Sequence, residues 1–99
     1  MKIKIDLVTF YSRGDERRLF QGLGDISAIT DVTGVGRGLA LKIDVRKLND
    51  EMLRELIALL WRYGISLRPI SVLCEKKKFV WISEDKFYWH KNMFDQNIT

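Results

Sequence analysis

Cysteine, histidine and proline occur once each among the 99 residues, as Cys74, His90 and Pro69. A single cysteine excludes an internal disulfide framework and suits a reducing compartment. It also leaves Cys74 with His90 as the whole thiol–imidazole inventory, and nothing near either residue marks an activated thiol. The short ligand spacings of zinc sites are missing. No apolar run reaches the ~18 residues of a membrane span. The N-terminal Met1-Lys2-Ile3-Lys4-Ile5-Asp6 carries charges where a secretory signal needs its apolar core. The expectation is a cytoplasmic chain with no membrane segment, metal or cofactor, and one that is not an enzyme.

One-sided charge is lacking as well. Seventeen Lys and Arg face thirteen Asp and Glu, for a net charge of +4. Residues 1–49 hold nine basic and six acidic side chains, and residues 50–99 hold eight and seven. A dedicated nucleic-acid binder gathers its basic charge on one face, and this spread offers no such sign. The length suits one domain with a single core, and 46% hydrophobic with 30% charged residues is an ordinary folded composition.

The stretch TGVGRGLALKIDV, residues 33–45, has three glycines at alternate positions and looks built to hold a phosphate. A phosphate cradle, however, runs from a strand through its glycines into a helix, whose N-terminal N–H groups meet the anion. Here the glycines lead into LALKIDV, a strand pattern, and no Gly-Lys-Ser/Thr follows. Glycine's freedom at positive φ predicts instead a hairpin turn between strands at 26–33 and 39–45.

Alternation predicts a first strand over residues 2–11, with Ile3, Ile5, Leu7 and Tyr11 on one side. Leu19, Phe20 and Leu23 predict a short helix that Gly22 and Gly24 weaken and end. The clearest element is a helix from Asn49, a good N-cap followed by Asp50 and Glu51 at the positive end of the dipole. Leu48 is placed to staple onto Leu53. Met52, Leu53, Leu56, Ile57, Leu59, Leu60 and Tyr63 make its apolar face, and Gly64 its stop. Beyond it, residues 65–74 read as extended, with Pro69 at an irregular or edge position. Residues 75–78 read as a hairpin turn and 79–82 as the return strand. Ser83 would cap a last helix running through Phe94, and residues 96–99 would form a tail. The prediction is a single α/β domain over residues 1–95, a mixed or antiparallel sheet packed on two or three helices.

The acidic pairs Asp15-Glu16, Asp50-Glu51 and Glu84-Asp85 each fall near a predicted helix start, where the dipole accounts for them without catalysis. Residues 76–91, KKKFVWISEDKFYWHK, interleave basic and aromatic side chains as single-strand binders do. The RNA-recognition strand motif is absent, and eight of the eleven aromatics lie from Trp61 onward, so several must build the core. A small basic nucleic-acid-binding domain stays as the alternative function.

The segment NDEMLRELIALLWRYGISLRPISVLCEKKKFVWISEDKFYWHKNMF, residues 49–94, resembles the C-terminal part of small immunity proteins of bacterial contact-dependent growth inhibition and related polymorphic-toxin systems. The resemblance lies in the leucine-rich helix running into RYGISL, the stretch ending in Trp81, and YWHKNMF. It implies a stoichiometric inhibitor that masks an essential surface of a cognate toxin domain, often a nuclease. Such inhibitors often present acidic surfaces, whereas this chain is basic. Either a local acidic patch does that work, or the inhibitor binds beside the active site, or its toxin is not a basic nuclease. The candidate partner-binding residues are Asp50, Glu51 and Glu55 at one helix start, Glu84 and Asp85 at another, and the aromatics Trp81 and Tyr88.

Overall fold

The computed structural model describes residues 1–95, so the expected tail at 96–99 lies outside the described residues. Three strands, β1 (Lys2–Asp6), β2 (Ile29–Val35) and β3 (Gly38–Ile43), form an antiparallel sheet in the order β1-β3-β2. Helix α1 (Arg13–Asp25) joins β1 to β2, and α2 (Asp50–Arg62) follows β3. The expected α/β architecture is therefore present.

Strand β3 is central and almost wholly buried, with Leu39 and Leu41 paired to Ile5 and Ile3 of β1. Their inward side chains meet Leu19 and Leu23 of α1 and Leu53, Leu56, Ile57 and Leu60 of α2 in one core. Each such side chain removed from water stabilises the fold by roughly 1.5–3 kcal/mol. Strand β1 stops at Asp6 rather than running to Tyr11, because its partner β3 begins at Gly38, directly opposite. Helix α1 is capped by Ser12, whose hydroxyl accepts from the Asp15 N–H at 3.1 Å, and it passes through both Gly22 and Gly24 before stopping.

The glycine stretch is a hairpin whose two-residue turn is Gly36-Arg37. Gly36 has φ +58°, a conformation that L side chains resist. Gly38 is needed for a different reason, since a Cβ there would overlap the carbonyl oxygen of Ile5 on the paired strand. Gly34 meets neither constraint.

The expected hairpin at 65–82 is not formed. Arg68–Glu75 and Lys77–Ser83 are two 3₁₀ segments. Leu67, Ile70, Leu73, Phe79 and Ile82, spaced by three or six residues, are fully buried, while Val80 is 52% exposed. A 3₁₀ helix has three residues per turn and eclipses positions i and i+3, so this spacing lays one stripe against the core, where a strand would have buried every second residue. The first segment packs beside β1. The expected last helix from Ser83 is reduced to α3 (His90–Phe94), preceded by turns at 85–89. Ser83 caps nothing there; its hydroxyl donates to the Val80 carbonyl at 2.8 Å.

Gly38→Ala should lower unfolding free energy by about 2 kcal/mol or more, the cost of overpacking against fixed backbone. Gly34→Ala should stay within about 0.5 kcal/mol. Urea denaturation of both variants distinguishes a strand-pairing constraint at Gly38 from a loop in which all the glycines are equivalent.

Candidate protein-interaction surface

The candidate residues gather around α2. Asn49 caps it through its side-chain oxygen, which accepts from the Met52 N–H at 2.8 Å. The expected staple residue Leu48 is 1% exposed and shares the core with Leu53. Once Leu53, Leu56, Ile57 and Leu60 face inward, the 3.6-residue repeat sends two different stripes to the flanks.

One flank carries Asp50, Arg54 and Trp61 and meets the C-terminal segment. The Trp81 indole N–H donates to Asp50 Oδ1 at 2.9 Å. The Arg54 guanidinium lies 4.4 Å from the centre of the Trp81 ring and 5.8 Å from that of Phe87, within cation–π range. Behind them Trp89, 2% exposed, stacks on Phe87 at 4.3 Å with an interplanar angle of 7° and donates its indole N–H to the Ile82 carbonyl at 2.9 Å. Tyr88, between Phe87 and Trp89 in the chain, stands edge-on to Trp61 at 5.0 Å. Tyr88 is 54% exposed and Trp61 44%. Glu84 is tied to this cluster through its backbone N–H, which donates to the Trp81 carbonyl at 3.2 Å. Its carboxylate pairs with Lys86 at 3.1 Å on the surface, where such pairs contribute little. Asp85 is exposed beside it.

The other flank carries Glu51 and Glu55. With Asp25 at the end of α1 they rim a groove of about 490 Å³ between the two helices, floored by Ile26, Met52 and Leu59. The helices approach closely at Gly22, where a Cβ would come within 2.9 Å of Leu59 Cδ2.

The seven expected residues thus divide. Asp50 and Trp81 are bonded to each other and hold the C-terminal segment on α2. Tyr88, Glu84 and Asp85 are exposed on that same segment, and Glu51 and Glu55 belong to the groove. Trp61 and Asp25 were not among the expected residues. A tryptophan off the apolar face of an amphipathic helix was the available signal for Trp61. Asp25 gave none, since only the packing of α1 on α2 puts it on the same groove as Glu51. The basic run also differs from a solvated hairpin tip: Lys78 Nζ donates to the carbonyls of Val45 at 2.6 Å and Leu48 at 3.0 Å.

Cys74 packs against the core, and the His90 ring lies 5.3 Å from that of Phe94 with its Nδ1 unbonded. Among the described residues no three His, Cys, Asp or Glu side chains come close enough together to hold a metal ion, and no helix is long and apolar enough to cross a membrane. Comparison of the chain with protein-family models, curated proteins and solved structures found no match.

The Trp81–Asp50 bond gives a direct test of how the segment is held. In a double-mutant cycle of Trp81→Phe and Asp50→Ala, urea unfolding should give a coupling of about 1 kcal/mol. Strict additivity would show that the two side chains do not support each other.

Proposed function

We propose that this chain is an immunity protein, a cytoplasmic inhibitor that neutralises a cognate contact-dependent growth inhibition toxin domain by stoichiometric binding rather than by catalysis. The observation that carries this reading is the Trp61–Tyr88 pair. Two large aromatic rings touch each other while both remain about half exposed. Water contact over such rings is unfavourable, and contiguous exposed apolar surface marks interaction sites. Tryptophan and tyrosine are also the side chains that most often dominate binding energy when a partner buries them. The pair is held on a rigid base, because Tyr88 is adjacent in sequence to the buried, hydrogen-bonded Trp89 and Trp61 lies on a well-anchored helix.

The surrounding charges support a protein partner. Asp85 and Glu84 precede Tyr88 by three and four residues, and complementary charge at the rim of an interface speeds encounter more than it adds affinity. A nuclease toxin, with a basic substrate-binding surface, would meet these acids and Asp50. The resemblance of residues 49–94 to immunity proteins covers the same segment and helix. A nucleic-acid partner is less well served, since Lys78, one of the three consecutive lysines, is engaged with backbone carbonyls of its own chain.

Co-expression with the toxin domain encoded by the neighbouring reading frame should restore growth. Trp61→Ala and Tyr88→Ala should each weaken the purified complex by about 2 kcal/mol, roughly 30-fold in Kd, while circular dichroism stays unchanged. Full protection with unaltered affinity in both variants would place the interface elsewhere. A tight RNA or DNA complex at roughly 150 mM salt, where phosphate contacts are already screened, would favour the nucleic-acid reading instead.

A further inference from the structure

The groove between α1 and α2 combines an apolar floor with a rim of one sign of charge. Ile26, Met52 and Leu59 form the floor, and Asp25, Glu51 and Glu55 the rim. Among the described residues no Lys or Arg lines it, although the chain has seventeen. Among the described residues the only ion pairs are Arg18–Asp15 and Lys86–Glu84, so none of the three rim carboxylates is neutralised.

Two of these carboxylates stand where local physics disfavours them. Asp25 is the last residue of α1, at the negative end of the helix dipole, and no basic residue occupies that last turn. Glu55 stands four residues after Glu51 on α2, a like-charge spacing that destabilises a helix by a few tenths of a kcal/mol. Glu51 alone has a local justification, in the first turn of α2. The three rim carboxylates therefore stand without an ion-pair partner from the described residues, and a bound cation could pair with them.

The carboxylates do not converge on a point, since among the described residues no three acidic, cysteine or histidine side chains lie close enough to share a metal ion. A spread acidic rim over an apolar floor matches a ligand whose positive charges are also spread and flank apolar groups. We propose that this groove is a second docking site, and that its occupant is an amphipathic segment of a partner protein, with Leu- or Ile-like side chains on the floor and Lys or Arg on the rim. This deepens the protein-inhibitor reading, on which it rests for the biological source of the segment. The recognition mode is a helix laid in a groove. The overall charge of +4 repels such a segment at long range, and the Debye length of about 8 Å at physiological salt confines that repulsion, so selection for the segment is made locally by the groove.

The probe is a Leu/Lys amphipathic peptide about 14 residues long, near the minimum for a helix in water, with a Leu/Glu peptide of the same pattern as control. In ¹⁵N-resolved NMR titrations of the full chain at roughly 150 mM salt, the Leu/Lys peptide should bind saturably. The largest shifts should fall on residues 22–26 and 49–55 and on the Met52 methyl group. The Leu/Glu peptide should not bind. Neutralising two rim positions together, Glu51→Gln with Glu55→Gln, should raise Kd about ten-fold, as expected for losing two good exposed ion pairs. Asp25→Asn should act in the same direction. Equal binding of both peptides, shifts centred instead on Trp61 and Tyr88, an unchanged Kd in the neutralised variants, or no binding would each overturn the proposal. The peptide assay involves no toxin, so its failure is separate from failure of growth protection.

Discussion

Everything displayed on the surface of this protein depends on the rotational setting of α2. Leu53, Leu56, Ile57 and Leu60 leave no freedom in that setting, because all four are fully buried against the sheet, α1 and the C-terminal segment. Successive residues of a helix are about 100° apart. A one-residue slip would drive a charged side chain, Arg54 or Glu55, into the core and scatter both flanking stripes. With the setting fixed, Asp50, Arg54 and Trp61 meet the C-terminal segment while Glu51 and Glu55 face α1. The two candidate docking surfaces are therefore neighbours on one rigid rod.

The C-terminal third is held without joining the sheet. Its 3₁₀ segments satisfy part of their own backbone and expose the rest, so tertiary bonds must fix their position. Several reach across the chain. Lys78 bridges the carbonyls of Val45 and Leu48, just before α2. Asn92 Oδ1 accepts from the Leu67 N–H at 2.8 Å, and Arg68 donates to the Asp95 carbonyl at 2.6 Å. Trp89 is the centre of the segment, buried, stacked and hydrogen-bonded, and its neighbours carry the exposed aromatic surface. The aromatic-rich end of the chain thus serves both purposes: Phe79 and Trp89 build core, while Tyr88 faces solvent.

Charge is distributed by location rather than by sum. The net charge of +4 describes how the molecule behaves at a distance, but contacts are decided within a Debye length. On that scale the groove is acidic and apolar, and the turn region near Tyr88 carries Asp85 beside the Glu84–Lys86 pair. A basic chain can in this way present acidic surface to a partner.

Local chemistry determined much of the fold directly from the sequence. Asn49, the staple residue Leu48, the 3.6-residue apolar repeat and Gly64 specified α2 almost to the residue, because capping and periodicity act within one turn. The alternation of Leu39, Leu41 and Ile43 specified β3, and the strand after the glycines identified a hairpin instead of a phosphate loop. Tertiary structure decided the rest. Residues 67–82 contain both a period-two and a period-three pattern, and Phe79 with Ile82 follows the second because their segment packs on the first 3₁₀ segment and on α3 instead of pairing as a strand. Among the candidate residues, the carboxylates and aromatics could be named from composition and helix position. Their grouping could not, because the Asp50–Trp81 bond and the groove shared by Asp25 and Glu51 bring together residues 31 and 26 positions apart. Such contacts arise from how packed elements align, a quantity that no local propensity encodes.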